Sequence, residues 1–434
     1  MVVEQDRPLR VLALSRLFGG LKSGLAAEKW EPAGVPAIYR LLEALAADRN
    51  VDLLSVFAAK ETDARFDRVR KLDLPRIGKT ILLPYRDWFS ARLHRINMGL
   101  TELEMAARVL MIAAKFRPHI IYATYANILP AALLARLGHR GVVLRFMGVM
   151  PHHREIAEGG LPLFRWQLRS PFAQVICTED GSDPGALLPK LLHAQTPILV
   201  RLNGCDAPTM SESDIRSFRA EQNLGERPAV VFVGRLESYK GALDFVDAAL
   251  LALKTCPDCA DFVLVGDGPL RAEMETRVAA AKQLSRVRFV GAQRHADVGR
   301  FVGAADVYVS TNMYGNLSNA NLEALAVGAC IMMPSSDATI PIDTVTDTLI
   351  PNDVASRFDR HRMPLSLTEV LLRLLSSPEE IARRRSSAKA LAKRLLRPWA
   401  QSAAEDVGLL RVIRQVPHCS GNVQARIGPS SHGR

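Results

Sequence analysis

Residues 230–241 of this chain have the sequence VVFVGRLESYKG, and residues 316–325 have the sequence NLSNANLEAL. The first stretch places Arg235 and Lys240 directly after an apolar, β-branched run that is typical of a buried strand. The second places small polar residues ahead of Glu323 on a predicted helix. Phosphates bind to cations and to the free backbone N–H groups at helix N-termini, whereas a carboxylate accepts hydrogen bonds from the hydroxyls of a ribose. Together, the two stretches predict a site for a nucleoside diphosphate with another group attached.

Apolar runs alternate with helical patterns on both sides of these stretches. Strands are predicted in the first half at residues 11–15, 51–56, 120–122, 142–146, 175–177 and 198–200, and in the second half at residues 230–233, 262–265, 287–290, 307–309 and 331–333. Helical spacing of apolar residues lies between the strands, as at residues 36–47, 100–116 and 242–253. The alternation predicts an α/β protein with two Rossmann-like, doubly wound parallel-sheet domains in series.

The boundary between the two sheets is predicted in a polar, charged connector at residues 206–228. The length of 434 residues is too great for one core and suits two domains. We therefore predict a first domain at residues 1–208 and a second domain at residues 209–397. A crossover helix at residues 398–415 is expected to pack back toward the first domain, and residues 416–434 are predicted to form a disordered tail.

The net charge of +11 favours an anionic partner, although solubility and a basic tail explain the same excess. The chain has no RNP pattern, zinc finger or helix-turn-helix signature, so nucleic acid is not a predicted partner. Cys256 and Cys259 have the spacing of a metal knuckle, but no second ligand pair accompanies them, and no metal site is predicted. The polar start and the short apolar runs predict a cytoplasmic protein. Peripheral binding of this protein to the inner face of the membrane is compatible with that prediction.

Six motifs resemble, in chain order, those of the retaining glycosyltransferases of family 4. They lie at residues 203–206 (NGCD), 231–241, 265–269 (VGDGP), 289–291, 305–307 and 322–328 (LEALAVG). Each motif alone is weak, but six in the expected order are a strong signal. The resemblance implies the GT-B fold, in which two Rossmann-like domains face a cleft, with residues 1–208 as the acceptor-side domain and residues 209–397 as the nucleotide-sugar-binding domain. It also implies metal-independent transfer of a sugar from a nucleotide-diphosphate sugar.

The resemblance also implies roles for individual residues. Arg235 and Lys240 match the pair that holds the donor's diphosphate and stabilises the leaving group, and Glu323 matches the residue that binds the ribose. The other implied donor-binding residues are Asn316, Leu317, Ser318 and Asn319 at the start of the predicted helix, Gly268 in a glycine turn, and Gly34 at the end of the family's glycine loop ahead of the first helix. The alternatives are a solvated charged loop for the two cations and an N-cap for Ser318 or Asn319. No cofactor beyond the donor substrate is expected.

The chain departs from the family pattern at two positions. The family often has a Glu that meets the donor sugar eight positions before the ribose-binding one, where this chain has Gly315. It also often has a His just before a glycine after a first-domain strand, where Met147 precedes Gly148. His152 and His153 follow closely and are candidate substitutes, but solvated loop histidines are the favoured interpretation.

A basic stretch at residues 65–95 suits an anionic lipid surface. It includes Arg68, Arg70, Lys71, Arg76 and Lys79, with Trp88 and Phe89 beyond them. Aromatic side chains next to cations are typical of proteins that rest on a membrane interface, although a solvated charged face fits the pattern equally well.

We therefore predict a retaining glycosyltransferase with a nucleotide-sugar donor and a glycan or lipid-linked acceptor, active in cell-surface polysaccharide or glycolipid synthesis. Gly315 and Met147 favour one alternative, a catalytically impaired nucleotide-sugar-binding protein. A second alternative is a sugar-nucleotide epimerase of the same fold. A nicotinamide dehydrogenase is disfavoured, because the first strand is not followed by a Gly-x-Gly-x-x-Gly turn with an acidic residue about 20 positions on.

Overall fold

The computed structural model describes residues 7–89, 93–206, 208, 210–337, 343 and 345–415. The predicted tail at residues 416–434 lies outside the described residues. Two sheets follow each other along the described chain, one of eight strands and one of six. This arrangement confirms the predicted fold class of two parallel-sheet α/β domains.

The first sheet is parallel except at one edge. Its strands are β1 (Leu9–Arg16), β2 (Val51–Ala58), β3 (Arg70–Leu74), β4 (Gly78–Leu83), β5 (Ile120–Thr124), β6 (Val142–Phe146), β7 (Gln174–Thr178) and β8 (Ile198–Arg201). Their order across the sheet is β3-β4-β2-β1-β5-β6-β7-β8. Only the β3–β4 pair is antiparallel among the strand pairs described. The carboxyl ends of β1, β5, β6 and β7 therefore meet along one edge, which is where ligands bind in open α/β sheets.

Helices cover both faces of this sheet. They are α1 (Gly19–Ala26), α2 (Pro36–Ala47), α3 (His94–Phe116), α4 (Ile128–Arg136), α5 (Pro151–Ala157), α6 (Pro162–Leu168) and α7 (Pro184–Leu191). Leu12 and Leu14 point into the apolar core on one face of β1, and Val11 and Ala13 point into the core on the other. Because both faces are buried, the central strands have continuous apolar sequences.

Two features of the first domain differ from the sequence-based expectations. Part of the predicted basic stretch forms the β3–β4 hairpin, in which Leu72 and Leu74 alternate with charged residues at the sheet edge. Helix α1 follows β1 directly, so Gly34 precedes the second helix of the chain, not the first. Both differences arise because short elements lack enough apolar positions to show a clear period.

The second domain repeats the same construction. Its strands are β9 (Ala229–Val233), β10 (Asp261–Val265), β11 (Val287–Gly291), β12 (Val307–Val309), β13 (Ile331–Pro334) and β14 (Ala355–Phe358), in the order β11-β10-β9-β12-β13-β14. Its helices are α8 (Glu212–Glu221), α9 (Ala242–Thr255), α10 (Arg271–Ala280), α11 (His295–Ala304), α12 (Asn319–Val327), α13 (Thr346–Leu349), α14 (Leu365–Leu375) and α15 (Pro378–Leu395). The strand pairs described in this sheet are parallel.

The last helix, α16 (Trp399–Gln415), returns to the first domain. Its Val407 and Leu410 enter the core on the α2 side of the first sheet. The two passages of the chain between the domains are bonded to each other. The Cys205 N–H donates to the Arg397 carbonyl at 2.8 Å, and the Trp399 N–H donates to Asp206 Oδ1 at 3.0 Å.

Candidate functional site

The loop after β9 is fixed to the loop after β10 by backbone contacts. The N–H of Gly234 donates to the Val265 carbonyl at 3.0 Å, and the N–H of Leu236 donates to the Asp267 carbonyl at 3.0 Å. Leu236 is fully buried, which anchors the centre of the first loop. The loop therefore holds Arg235 in place through its backbone, at the carboxyl edge of the second sheet.

Gly266 and Gly268 make this close packing possible. A Cβ on Gly266 would lie 1.9 Å from the Gly234 carbonyl oxygen, and the φ of Gly266 is +140°. A Cβ on Gly268 would lie 2.6 Å from the Leu236 carbonyl oxygen. The packing explains why Gly268, predicted from the resemblance to be a donor-binding residue, has to be a glycine: its close neighbour is the loop that holds Arg235.

The two predicted phosphate-binding cations differ in their surroundings. The Arg235 side chain is 71% exposed and forms an ion pair with Glu237. Lys240 is half-buried, and burial lowers the pKa of its ammonium group, while Glu237 and Asp180 act in the opposite direction. Within the described part of the chain, the Lys240 ammonium forms no ion pair. A partly desolvated cation without an ion-pair partner is suited to bind an anionic ligand.

A loop after β12 connects the two stretches that the sequence singled out. The Met313 N–H donates to the Tyr239 carbonyl at 2.9 Å, and the Thr311 hydroxyl donates to the Lys240 carbonyl at 2.8 Å. The Asn312 side-chain amide donates to the Gly315 carbonyl at 2.6 Å. These bonds bring residues 235–241 and the start of α12 to the same edge of the sheet.

The polar residues before Glu323 form hydrogen bonds with other residues of the protein. Ser318 caps α12 by accepting the Asn321 N–H at 3.4 Å, and Asn319 Oδ1 accepts a hydrogen bond of 2.7 Å from Asn203 in the first domain. The side-chain amide of Asn316 donates to the buried Asp343. The Leu317 N–H donates to the Asp180 carbonyl at 3.0 Å, and the Leu317 side chain is fully buried. In this conformation the Leu317 N–H already donates to the first domain, and the role of Leu317 in binding the donor stays a prediction.

Glu323 lies on α12 close to the passage between the domains. It is 7% exposed, and its burial raises its pKa to about 8, with the nearby charge of Asp206 adding to the effect. At neutral pH without a ligand, the carboxyl group therefore holds its proton for most of the time. A protonated carboxyl group still accepts one hydroxyl hydrogen bond and donates another, so this state remains compatible with a ribose diol.

A pocket of about 260 Å³ opens at the carboxyl edge of the first sheet. Its lining includes Ser15, Arg16, Val35, Lys60, Tyr125 and His153. His153 is buried, and its Nδ1 accepts the Met150 N–H at 2.8 Å, which places its proton on Nε2. Burial and the neighbouring His152 lower the pKa of His153 to about 3, so the ring is neutral. The interpretation of His153 as a solvated loop histidine is therefore wrong.

Two other pocket positions bear on the sequence predictions. Gly34 has a φ of +71° and faces open space, and Val35 after it lines the pocket just ahead of α2. Tyr125, which is not among the residues predicted from the sequence, lies with its hydroxyl 3.3 Å from His152 Nε2. Its place directly after β5, at the carboxyl edge of the sheet, is the signal that would have identified it.

Comparison with known proteins finds that part of this chain is similar to sugar-transferring enzymes. Residues 227–361 match the family described as "Glycosyl transferases group 1". Over 120 residues, the chain is 29% identical to the alpha-D-kanosaminyltransferase of Streptomyces kanamyceticus, a match that covers 27% of this chain and 31% of that protein. The chain spans less than half the length of the first curated relatives it matches.

Solved structures match almost the whole chain. Sucrose-phosphate synthase from Thermosynechococcus elongatus superposes with a TM-score of 0.69 at 19% identity, covering 93% of this chain and 99% of that one. Anabaena HepE in complex with UDP superposes with a TM-score of 0.66 at 18% identity, covering 92% and 100%. The protein thus has the GT-B fold, and residues 227–361 of its second domain match glycosyl transferases group 1.

Proposed function

We propose that the protein is a retaining, metal-independent glycosyltransferase that moves a sugar from a nucleotide-diphosphate sugar to a glycan or lipid-linked acceptor. One observation supports this function above the others. Lys240, a half-buried cation without an ion-pair partner in the described chain, stands on a loop that backbone hydrogen bonds fix at the edge of the second sheet. That loop lies within the stretch that matches glycosyl transferases group 1.

In this proposal, the second domain binds the donor. Lys240 binds the diphosphate and, with Arg235, stabilises the charge that develops on the leaving group. Glu323 binds the ribose, and its raised pKa allows it both to donate and to accept a hydrogen bond. The related HepE structure contains UDP, which supports a uridine nucleotide as the first donor to test.

The first domain would bind the acceptor. Its pocket at the ends of β1, β5 and β6 combines apolar walls with the Nε2–H of His153, which has no hydrogen-bond partner in the described chain. A buried donor without a partner is costly unless a ligand satisfies it. An acceptor hydroxyl or carbonyl oxygen in this pocket would remove that cost.

A panel of nucleotides provides the direct test. We expect UDP, GDP or ADP, together with its glucose or mannose conjugate, to raise the thermal unfolding midpoint, because a ligand at 100 times its Kd stabilises the folded state by about 2.7 kcal/mol. The conjugate that binds is then offered with candidate acceptors, and the anomeric configuration of the product is determined by NMR. An inverted product would exclude the retaining mechanism, and binding without transfer to any acceptor would favour the impaired nucleotide-sugar-binding protein that Gly315 suggests.

We further propose that the first domain rests on the inner face of an anionic membrane. Ile96, Leu103 and Met111 are exposed and lie on one face of α3, because they are spaced by seven and eight residues. Trp88 and Phe89, just before this helix, are also about half exposed. None of the helices in the described part of the chain is both long and apolar enough to span a lipid bilayer. An exposed apolar stripe with aromatic residues at one end is suited to insertion at the headgroup level.

The cations of the predicted basic stretch contribute less than their number suggests. Arg70 pairs with Glu28 at 2.6 Å, Arg65 pairs with Asp63 at 2.8 Å, and Lys79 lies 3.5 Å from Asp52. Paired charges attract a lipid headgroup only weakly. The apolar stripe of α3 is therefore the better surface on which to test membrane binding.

Changing Leu103 and Met111 together to Glu should reduce binding to phosphatidylglycerol vesicles about tenfold or more, because each large apolar side chain stabilises insertion by about 1.5–3 kcal/mol. Leu284→Glu is the matched control: Leu284 is 56% exposed in the second domain, against 60% for Leu103. Sedimentation with vesicles at low and high salt measures the effect. Equal sedimentation of wild type and double variant would remove the α3 surface from the proposal, and no sedimentation of either would point to a soluble acceptor.

A further inference from the structure

Asp180 lies where the two domains meet. It follows β7 at the carboxyl edge of the first sheet, and its carbonyl oxygen accepts the N–H of Leu317 from the second domain at 3.0 Å. Its Oδ1 accepts hydrogen bonds from the backbone N–H of Ser182, at 3.2 Å, and from the Ser182 hydroxyl. Oδ2 has no hydrogen-bond partner among the residues that the structure describes. One carboxylate oxygen is thus fixed, and the other is available.

Two glycines from different domains make room for this residue. A Cβ on Gly148 would lie 1.8 Å from Asp180 Oδ2, and a Cβ on Gly315 would lie 2.4 Å from the Asp180 carbonyl oxygen. Both glycines have positive φ angles, +118° and +52°. Gly315 is one of the two positions where the sequence departs from the glycosyltransferase pattern. Gly148 directly follows the other, Met147. The space left by the absent side chains is occupied by Asp180.

Several carboxyl groups lie near Asp180, and one of them, Asp343, is paired with Arg360 at 3.4 Å. Burial raises the pKa of Asp180 to about 6, and the charge of Asp343 acts in the same direction, so the carboxyl group is ionised near neutral pH. Glu179 and Asp183 belong to the same loop, and Lys240 is near enough to feel the charge of Asp180 across the cleft. A negative group at this place repels the diphosphate that Lys240 is proposed to bind. The hydroxyl groups of the attached sugar are the part of the donor that can donate hydrogen bonds to it.

We infer that Asp180 Oδ2 accepts hydrogen bonds from the hydroxyl groups of the sugar being transferred, so that the first domain supplies the carboxylate that recognises the donor sugar. This inference rests on the proposed function, because it requires a nucleotide-diphosphate sugar in the cleft. A carboxylate beside the sugar also suits the positive charge that develops on the ring when its glycosidic bond breaks. The contact adds recognition of the sugar without adding affinity for the nucleotide.

The Asp180→Asn variant separates these two effects. Its affinity for UDP-glucose should fall about tenfold, because a charged hydrogen-bond acceptor is replaced by a neutral one. Its affinity for UDP should stay the same or rise by up to about threefold, because a negative charge near the diphosphate is removed. Isothermal titration of both ligands gives the two changes, and GDP with GDP-mannose or ADP with ADP-glucose replaces this pair if the wild type prefers another base. Ser182→Ala, which frees the fixed oxygen but keeps the charge of Asp180, should lower the affinity for UDP-glucose by a smaller factor and leave the affinity for UDP unchanged.

Asp183→Asn is the control, since it removes the same charge from the same loop. Asp183 caps α7 at a φ of 54°, and Asn serves as an N-cap and tolerates this conformation, so both affinities should stay within about twofold of wild type. Equal losses for UDP and UDP-glucose in Asp180→Asn would mean a structural role and overturn the inference, as would no change for either ligand. Dependence of UDP binding on Mg²⁺ that disappears in the variant would assign Asp180 to a cation instead. A wild type that binds no nucleotide at all would refute the proposed function before any variant is compared.

Discussion

Replacing Lys240 with Ala is expected to weaken UDP binding by about 10- to 100-fold, which corresponds to the 1.5–3 kcal/mol of a hydrogen bond to a charged group. The reason is that the Lys240 ammonium is partly desolvated and has no ion-pair partner in the described chain, so its charge is available to a diphosphate. Binding of uridine, which has no phosphate, should change by less than about twofold. Isothermal titration of both ligands into the variant measures the difference.

The matched control is Lys254→Ala, because Lys254 is exposed in the last turn of α9 in the same domain. Both ligands should bind this variant as they bind the wild type. Equal losses for UDP and uridine in Lys240→Ala would contradict a phosphate-binding role. Such a result would mean that the lysine supports the loop, for example through its position over the Tyr239 ring, 5.2 Å from its centre.

Gly266→Ala should lower the free energy of unfolding of the second domain by about 3 kcal/mol or more. The added methyl group would overlap the Gly234 carbonyl oxygen, and the φ of +140° is unfavourable for any residue with a side chain. The backbones of Gly234 and Gly266 are both held by hydrogen bonds, so the loops after β9 and β10 cannot move apart without losing some of these bonds. Urea unfolding followed by circular dichroism measures the loss.

Gly225→Ala provides the comparison within the same domain, since a Cβ on Gly225 meets no atom within 4 Å. This variant should remain within about 0.5 kcal/mol of the wild type. A Gly266→Ala protein as stable as Gly225→Ala would show that the two loops can separate freely. In that case, the rigid placement of Arg235 proposed above would be wrong.

The central strands could be predicted because burial on both faces leaves a plain signature in the sequence. The runs at residues 230–233 and 262–265 are continuously apolar, and they became β9 and β10. The β3–β4 hairpin at the sheet edge was missed, since its charged residues obscured the alternating leucines. Helices as short as α5 and α6 contain too few turns for a period to be recognised.

The candidate site was predictable only where a single segment of the chain contains both the strand and the functional side chain that follows it. Lys240 lies in the loop that follows β9, so its place at the sheet edge follows from the order of the chain. The contact between Asp180 and Leu317 depends instead on how two domains face each other, and no local pattern encodes that orientation. For the same reason, the sequence could not reveal that the Leu317 N–H already has an acceptor.

The bonded passages at residues 204–206 and 397–399 have a mechanical consequence. Because the two connections lie side by side, we expect them to act as a hinge between the domains. Sliding or twisting of one domain against the other would break the hydrogen bonds of Cys205 and Trp399. The two passages are closely packed here, because a Cβ on Gly204 would lie only 2.8 Å from the Cα of Trp399. We therefore expect the domains to open mainly by rotation about these two passages, which would change the distance between Lys240 and Asp180 and the width of the cleft together.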